Sequence, residues 1–187
     1  ENKMEKIKKE EIWSIPNCMG YFRILLIPVF CVIYLNADSV KDYYLAAGIV
    51  LVSTITDLFD GKVARKFNMV TELGKFVDPF ADKLTHGAVA LCLCTRYKRM
   101  IWLVVLMAIK EGFMATMGLI NLRRGKKLDG AKWYGKVCTA TLFIILGVLV
   151  FLPEIPSGIA DVLILSEMVI MAIVLVLYAF EFRKMAK

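Results

Sequence analysis

The sequence predicts an all-α polytopic membrane protein of six transmembrane helices, preceded by a short amphipathic cytoplasmic helix. Three observations carry this reading. Of the 187 residues, 59% are hydrophobic and the mean hydropathy is +0.65, whereas a soluble domain is about 45–50% apolar. Apolar runs recur along the chain at or near the length of about 20 residues that a spanning helix needs. The net charge of +7 is concentrated in KIKK, GKVARK, NLRRGKKLDGAK and EFRKMAK, which six spans place on one side. The positive-inside rule makes that side cytoplasmic, with both termini on it. TRYKR is the one connection that argues against this.

The elements follow in order. Residues 5–14 form the amphipathic segment, with Ile7, Ile12 and Trp13 on an apolar side and Lys6, Lys8 and Lys9 towards headgroups; a solvated charged tail is the alternative. The opening ENKMEKIKKEEIW has no short apolar core with a small-residue cleavage site, so it does not read as a signal peptide, and Met4 reads as the native start. IPN at 15–17 opens the first span, because proline suits a helix start. That span covers residues 18–35 and contains Arg23. The second, 43–65, and the third, 73–95, reach spanning length only by including charged ends. Residues 101–122, 133–152 and 159–180 supply the last three.

With no repeat or long linker, the chain reads as one membrane domain over 1–187. It comprises a cytoplasmic segment 1–15, a six-span core 16–180 and a cytoplasmic tail 181–187. The five cysteines, Cys18, Cys31, Cys92, Cys94 and Cys138, lie in or beside apolar segments, which fits packing better than a disulfide framework. Nucleic acid is not an expected partner, since no soluble module carries the basic charge. Membrane phospholipids or a phosphorylated substrate fit it better.

The stretch TDLFDGKVARKFNMVTELGKFVDPFADK places four carboxylates between apolar segments. Asp57 and Asp60 are three residues apart, and Asp78 and Asp82 are four apart, so each pair shares a helix face. Gly61 and Gly74 each stand four residues from an acid and leave room for a ligand or a partner helix. Acids at membrane depth normally face a cavity and find a partner. Protonation, pairing with Lys62, Arg65, Lys66, Lys75 or Lys83, and bound cations are the available reliefs. The paired spacing, the two glycines and the arginine favour a site. An all-oxygen set suits hard ions such as Mg²⁺, Mn²⁺ or Ca²⁺, and two of them could clamp a phosphoryl transfer.

The stretch reads D-x-x-D-G-x-x-A-R-(x8)-G-x-x-x-D-x-x-x-D without a gap, and so resembles the signature of the CDP-alcohol phosphotransferase (phosphatidyltransferase) family. The resemblance covers essentially the whole chain. It implies that a CDP-activated lipid alcohol meets an acceptor hydroxyl, a phosphodiester forms and CMP leaves. It also implies two divalent cations, Mg²⁺ or Mn²⁺, held by Asp57, Asp60 and Asp78, with Asp82 touching one of them and taking the acceptor's proton. CDP contacts are implied for Asp57, Gly61, Ala64, Arg65, Gly74 and Asp78, and the family is one of homodimers. The site would face the cytoplasm of a bacterial membrane.

The acceptor must be sought outside this motif. IPNCMGYFRILLIP resembles the opening of bacterial phosphatidylglycerophosphate synthases, with Pro16, Asn17, Arg23 and Pro28 retained and Gly20 where threonine is usual. Those synthases imply CDP-diacylglycerol as donor and glycerol 3-phosphate as acceptor. Arg23, Lys110, Arg124 and Lys136 are the expected acceptor contacts. Three positions depart from the pattern: Lys110 replaces an arginine, Gly118 another arginine, and Cys138 a lysine. With fewer cations, a CMP-forming cardiolipin synthase using the lipid alcohol phosphatidylglycerol is the nearest rival. Outside this class stand a cation transporter and an inactive CDP-lipid-binding paralogue. The only histidine, His86, lies one turn beyond Asp82, either lining the site or packing against a neighbouring helix.

Overall fold

A computed structural model describes residues 14–66, 72–123 and 132–186. The predicted amphipathic helix and the loop containing Arg124 fall outside the described residues. Those described form six helices and no strand: α1 Ile15–Leu35, α2 Val40–Lys66, α3 Glu72–Leu93, α4 Met100–Arg123, α5 Trp133–Phe151 and α6 Ser157–Ala186. Five of them are long and apolar enough to cross a membrane, which makes the chain an integral membrane protein. The exception among the described helices is α3, whose first twelve residues include Asp78, Asp82 and Lys83. The chain divides into two compact units, one ending at Cys92 and one beginning at Leu93.

In the first unit, α1 and α2 form a tight helical hairpin. Asn36 stops α1 by turning its backbone N–H and its Nδ2 onto the Val32 carbonyl, the latter at 2.7 Å. Ser39 and Asp42 then start α2. Asp42 Oδ2 accepts from the Ser39 N–H and from its hydroxyl, each at 2.8 Å, satisfying a donor that the first turn would otherwise leave bare. Tyr34 meets Tyr43 edge-on across the hairpin, with ring centroids 5.1 Å apart. The antiparallel path therefore brings the end of α2 beside the beginning of α1, where Arg23 lies. Pro79 sits inside α3 and removes one backbone donor from the turn between Asp78 and Asp82.

In the second unit, α6 packs against α4 and α5. Its buried stripe is Ala160, Ile164, Glu167, Met171, Val174, Tyr178 and Phe182. The steps of three and four residues keep this set on one helix face. The facing stripe of α5 is Cys138, Leu142, Ile145, Leu146, Leu149 and Val150. Ion pairs Arg99–Asp161 at 3.1 Å and Lys132–Glu181 at 3.0 Å pin the two ends of α6. Arg96 donates to the Pro153 carbonyl.

Gly135 is required where α5 crosses α6. A Cβ there would overlap the Tyr178 hydroxyl, and the buried Tyr178 ring itself meets Tyr134 edge-on, with centroids 4.8 Å apart. Gly135→Val is expected to lower stability by about 1–3 kcal/mol, the usual effect of overpacking. Thermal unfolding of the purified protein in detergent measures this.

Candidate active site

Three of the four aspartates singled out by their spacing converge on one guanidinium. Arg23, about two turns into α1, donates from Nη1 to Asp57 Oδ1 at 2.5 Å and to Asp82 Oδ1 at 2.8 Å. Its Nη2 lies 3.4 Å from Asp78 Oδ1. The acids come from α2 and α3, between 34 and 59 positions away along the chain. The Arg23 side chain is 3% exposed, whereas those of Asp57, Asp78 and Asp82 are 41%, 44% and 47% exposed. The cluster thus has a buried cationic back and an open anionic front. Among the described residues, three carboxylates there meet one guanidinium.

The first unit explains how α1 comes so close. A Cβ on Gly20 would lie 3.0 Å from Val77 Cγ1 and 3.6 Å from Asp78 Oδ1. The missing side chain therefore lets α1 run against the turn of α3 that carries Asp78. Gly20 is also where the sequence departs from the threonine of the synthase opening, so the departure has a packing consequence beside the site. Gly74 is buried near the start of α3, as its place in the motif suggests.

A small apolar crevice lies about one turn along the helices from the cluster. Leu26, Ile27 and Phe30 of α1, Ile49, Val50 and Ser53 of α2, and Thr85, Ala88 and Val89 of α3 line it. Leu26 and Ile27 follow Arg23 by three and four, Ser53 precedes Asp57 by four, and Thr85 follows Asp82 by three. These intervals put crevice and charges on the same helix faces.

The donor set fits a hard divalent cation in chemistry, being all carboxylate oxygen and half open to solvent. Each acid meets Arg23 through Oδ1. Among the described residues no group of three acids is close enough to enclose an ion by itself. The side chain of Asp60, the fourth acid, lies outside the described residues, as do those of Gly61, Ala64 and Arg65, all four on the last turns of α2.

The expected acceptor contacts fall in both units and outside the described residues. Arg23 stands at the acids themselves. Lys110 and Lys136 belong to the second unit, and Arg124 lies outside the described residues. Lys110 pairs with its neighbour, Nζ to Glu111 Oε1 at 2.7 Å, which answers the need of two charges in an apolar helix. Lys136 is exposed on α5, and Gly118 is exposed on α4. His86 is part-buried and has interactions of its own.

One buried acid was missed by the sequence reading. Glu167, 0% exposed in α6, lies 3.7 Å from Cys138 Sγ through Oε1. So Cys138, at the position of the synthase lysine, is committed to an interhelical contact with a carboxyl group. The place of Glu167 in the apolar stripe of α6 was the signal that could have found it.

A family model described as CDP-alcohol phosphatidyltransferase matches residues 13–180. A probable phosphatidylglycerophosphate synthase of Mycobacterium tuberculosis is 29% identical over 168 residues, covering 89% of this chain and 79% of that relative. The CDP-diacylglycerol–glycerol-3-phosphate 3-phosphatidyltransferase of Escherichia coli K12 is 32% identical over 147 residues, covering 76% of this chain and 80% of that relative. A protein of the same name from Shigella flexneri is similar to the same extent.

Proposed function

The chain belongs to the CDP-alcohol phosphatidyltransferase family and is an enzyme of that class; on that premise we propose that it moves the phosphatidyl group of CDP-diacylglycerol to a hydroxyl of glycerol 3-phosphate, releasing CMP. The observation that carries this reading is the convergence of Asp57, Asp78 and Asp82 on Arg23, about one turn from an apolar crevice. An open anionic front beside an apolar wall suits a substrate with a pyrophosphate head and acyl tails. The names of the relatives supply the donor and the acceptor.

Asp57, Asp60, Asp78 and Asp82 would hold two divalent cations, Mg²⁺ or Mn²⁺. When bound, such ions neutralise charge on the pyrophosphate and on the departing CMP. Asp82 accepts the proton of the acceptor hydroxyl, as a carboxylate within hydrogen-bond reach can. The acceptor oxygen bonds to the phosphorus that carries diacylglycerol, the bond from that phosphorus to the CMP oxygen breaks, and CMP leaves with the electron pair. Arg65 offers a charged fork to the phosphates, while Gly61, Ala64 and Gly74 leave room for the nucleotide. Lys110, Arg124 and Lys136 supply positive charge for the acceptor phosphate. The site faces the cytoplasm, as the basic connections require, and the enzyme works as a homodimer.

An acceptor panel tests the reading. Purified protein with CDP-diacylglycerol and Mn²⁺ is offered glycerol 3-phosphate, phosphatidylglycerol, serine or inositol phosphate, and CMP release is measured. Glycerol 3-phosphate should exceed every other acceptor by about tenfold or more, equivalent to about 1.4 kcal/mol at the transition state. CMP release with phosphatidylglycerol alone would make this a cardiolipin synthase, the outcome that the loss of cations at Gly118 and Cys138 would favour. No CMP with any acceptor, together with cation flux in liposomes, would overturn the transferase reading.

A further inference from the structure

We propose that Arg23 is the positioning residue of the cation site: from its buried side it grips Oδ1 of Asp57, Asp78 and Asp82 and so presents their second oxygens together on the open side. This rests on the reading of the aspartates as cation ligands. Its own support is geometric. One guanidinium reaches acids on two different helices through two of its nitrogens. All three contacts take Oδ1, so the guanidinium grips one oxygen of each acid. The fork is buried while the carboxylates are about half open, so Arg23 lies on the protein side of the cluster.

The physical need is plain. Three carboxylates drawn together repel one another, and without a fixed cation behind them their rotamers would splay. Arginine suits the task because its donors are held in a rigid planar fork; a lysine ammonium is a point charge that cannot hold three acids in set directions. Carboxylates that bind metals are usually oriented by hydrogen bonds from an outer layer of residues, and losing such a partner weakens metal affinity about 10–100-fold. A contrary effect also operates: the positive charge of Arg23 repels the cations. The inference holds that orientation outweighs this repulsion, and the two give opposite signs in one measurement.

Full-length protein is titrated with Mn²⁺ and the free ion is read by electron paramagnetic resonance, for the wild type, Arg23→Gln, Arg23→Lys and Asp57→Asn. Arg23→Gln should weaken Mn²⁺ binding about 10–100-fold, and Arg23→Lys should fall between it and the wild type. Unchanged or tighter Mn²⁺ binding by the Arg23 variants, with Asp57→Asn weakened, would overturn the inference and leave the cation reading standing. Wild-type affinity in Asp57→Asn would bring down the cation reading and this inference with it. Thermal unfolding in chelator and in Mn²⁺ separates positioning from plain structural support. A structural arginine lowers both midpoints equally, whereas a positioning one shrinks the rise that Mn²⁺ produces. Should Arg23→Gln fail to fold, Arg23→Lys decides on both measurements.

Discussion

Asp82→Asn is expected to lower kcat for CMP release by about 10²–10⁴-fold, the range that a positioned general base contributes, while leaving CDP-diacylglycerol binding close to that of the wild type. Asparagine keeps the shape of the side chain and an oxygen able to accept from Arg23 Nη1, a contact that Asp82 makes at 2.8 Å. The cluster should therefore stay assembled, and what disappears is the basicity. Donor binding is measured by calorimetry and turnover by CMP release at saturating donor and acceptor. The cation concentration supplies the control. If Asp82 served only to hold an ion, raising Mn²⁺ would restore the rate; a missing base cannot be restored that way. Activity within a few-fold of the wild type would remove Asp82 from the role of base.

The sequence made the acids legible because helical periodicity is local. Spacings of three and four place Asp57 with Asp60 and Asp78 with Asp82 without any knowledge of tertiary structure. The helices were legible for the same reason. All six predicted spans correspond to helices among the described residues, with ends shifted by a few residues and α6 prolonged to Ala186. The number that cross a membrane is less direct, because charges lower the apolarity of α3 just where it bears Asp78 and Asp82.

What stayed hidden depends on contacts between distant residues. Arg23 entered the sequence reading as an acceptor contact, from its place in the synthase-like opening, and its meeting with the acids could not be read there. Its partners lie 34, 55 and 59 positions away, and only the hairpin of α1 and α2 together with the approach of α3 at Gly20 brings them to it. Glu167 was passed over as an isolated acid midway along an apolar run. Its meaning comes from the stripe it occupies and from Cys138 on the facing helix. Cys138 in turn could be read from sequence only as a missing lysine.

Asp57→Asn should reduce turnover about 10³-fold and abolish the rise in thermal stability on adding Mn²⁺. The size follows from the work asked of the cations. Neutralising the pyrophosphate is worth several kcal/mol, and at about 1.4 kcal/mol per factor of ten a loss of about 4 kcal/mol gives that drop. The sign of the stability effect follows from charge. In chelator the three carboxylates gathered at Arg23 repel one another, so removing one acid relieves repulsion, and Asp57→Asn should unfold no earlier than the wild type. In Mn²⁺ the order reverses, because only the wild type gains the ligand-linked stabilisation. A variant that merely damaged the fold would be weaker under both conditions. Asp78→Asn should behave alike from the other helix. If Asp57 and Asp78 serve one ion, the double variant should be scarcely slower than either single one, since groups acting as a unit do not add. Additive losses would mean instead that the two acids serve separate functions.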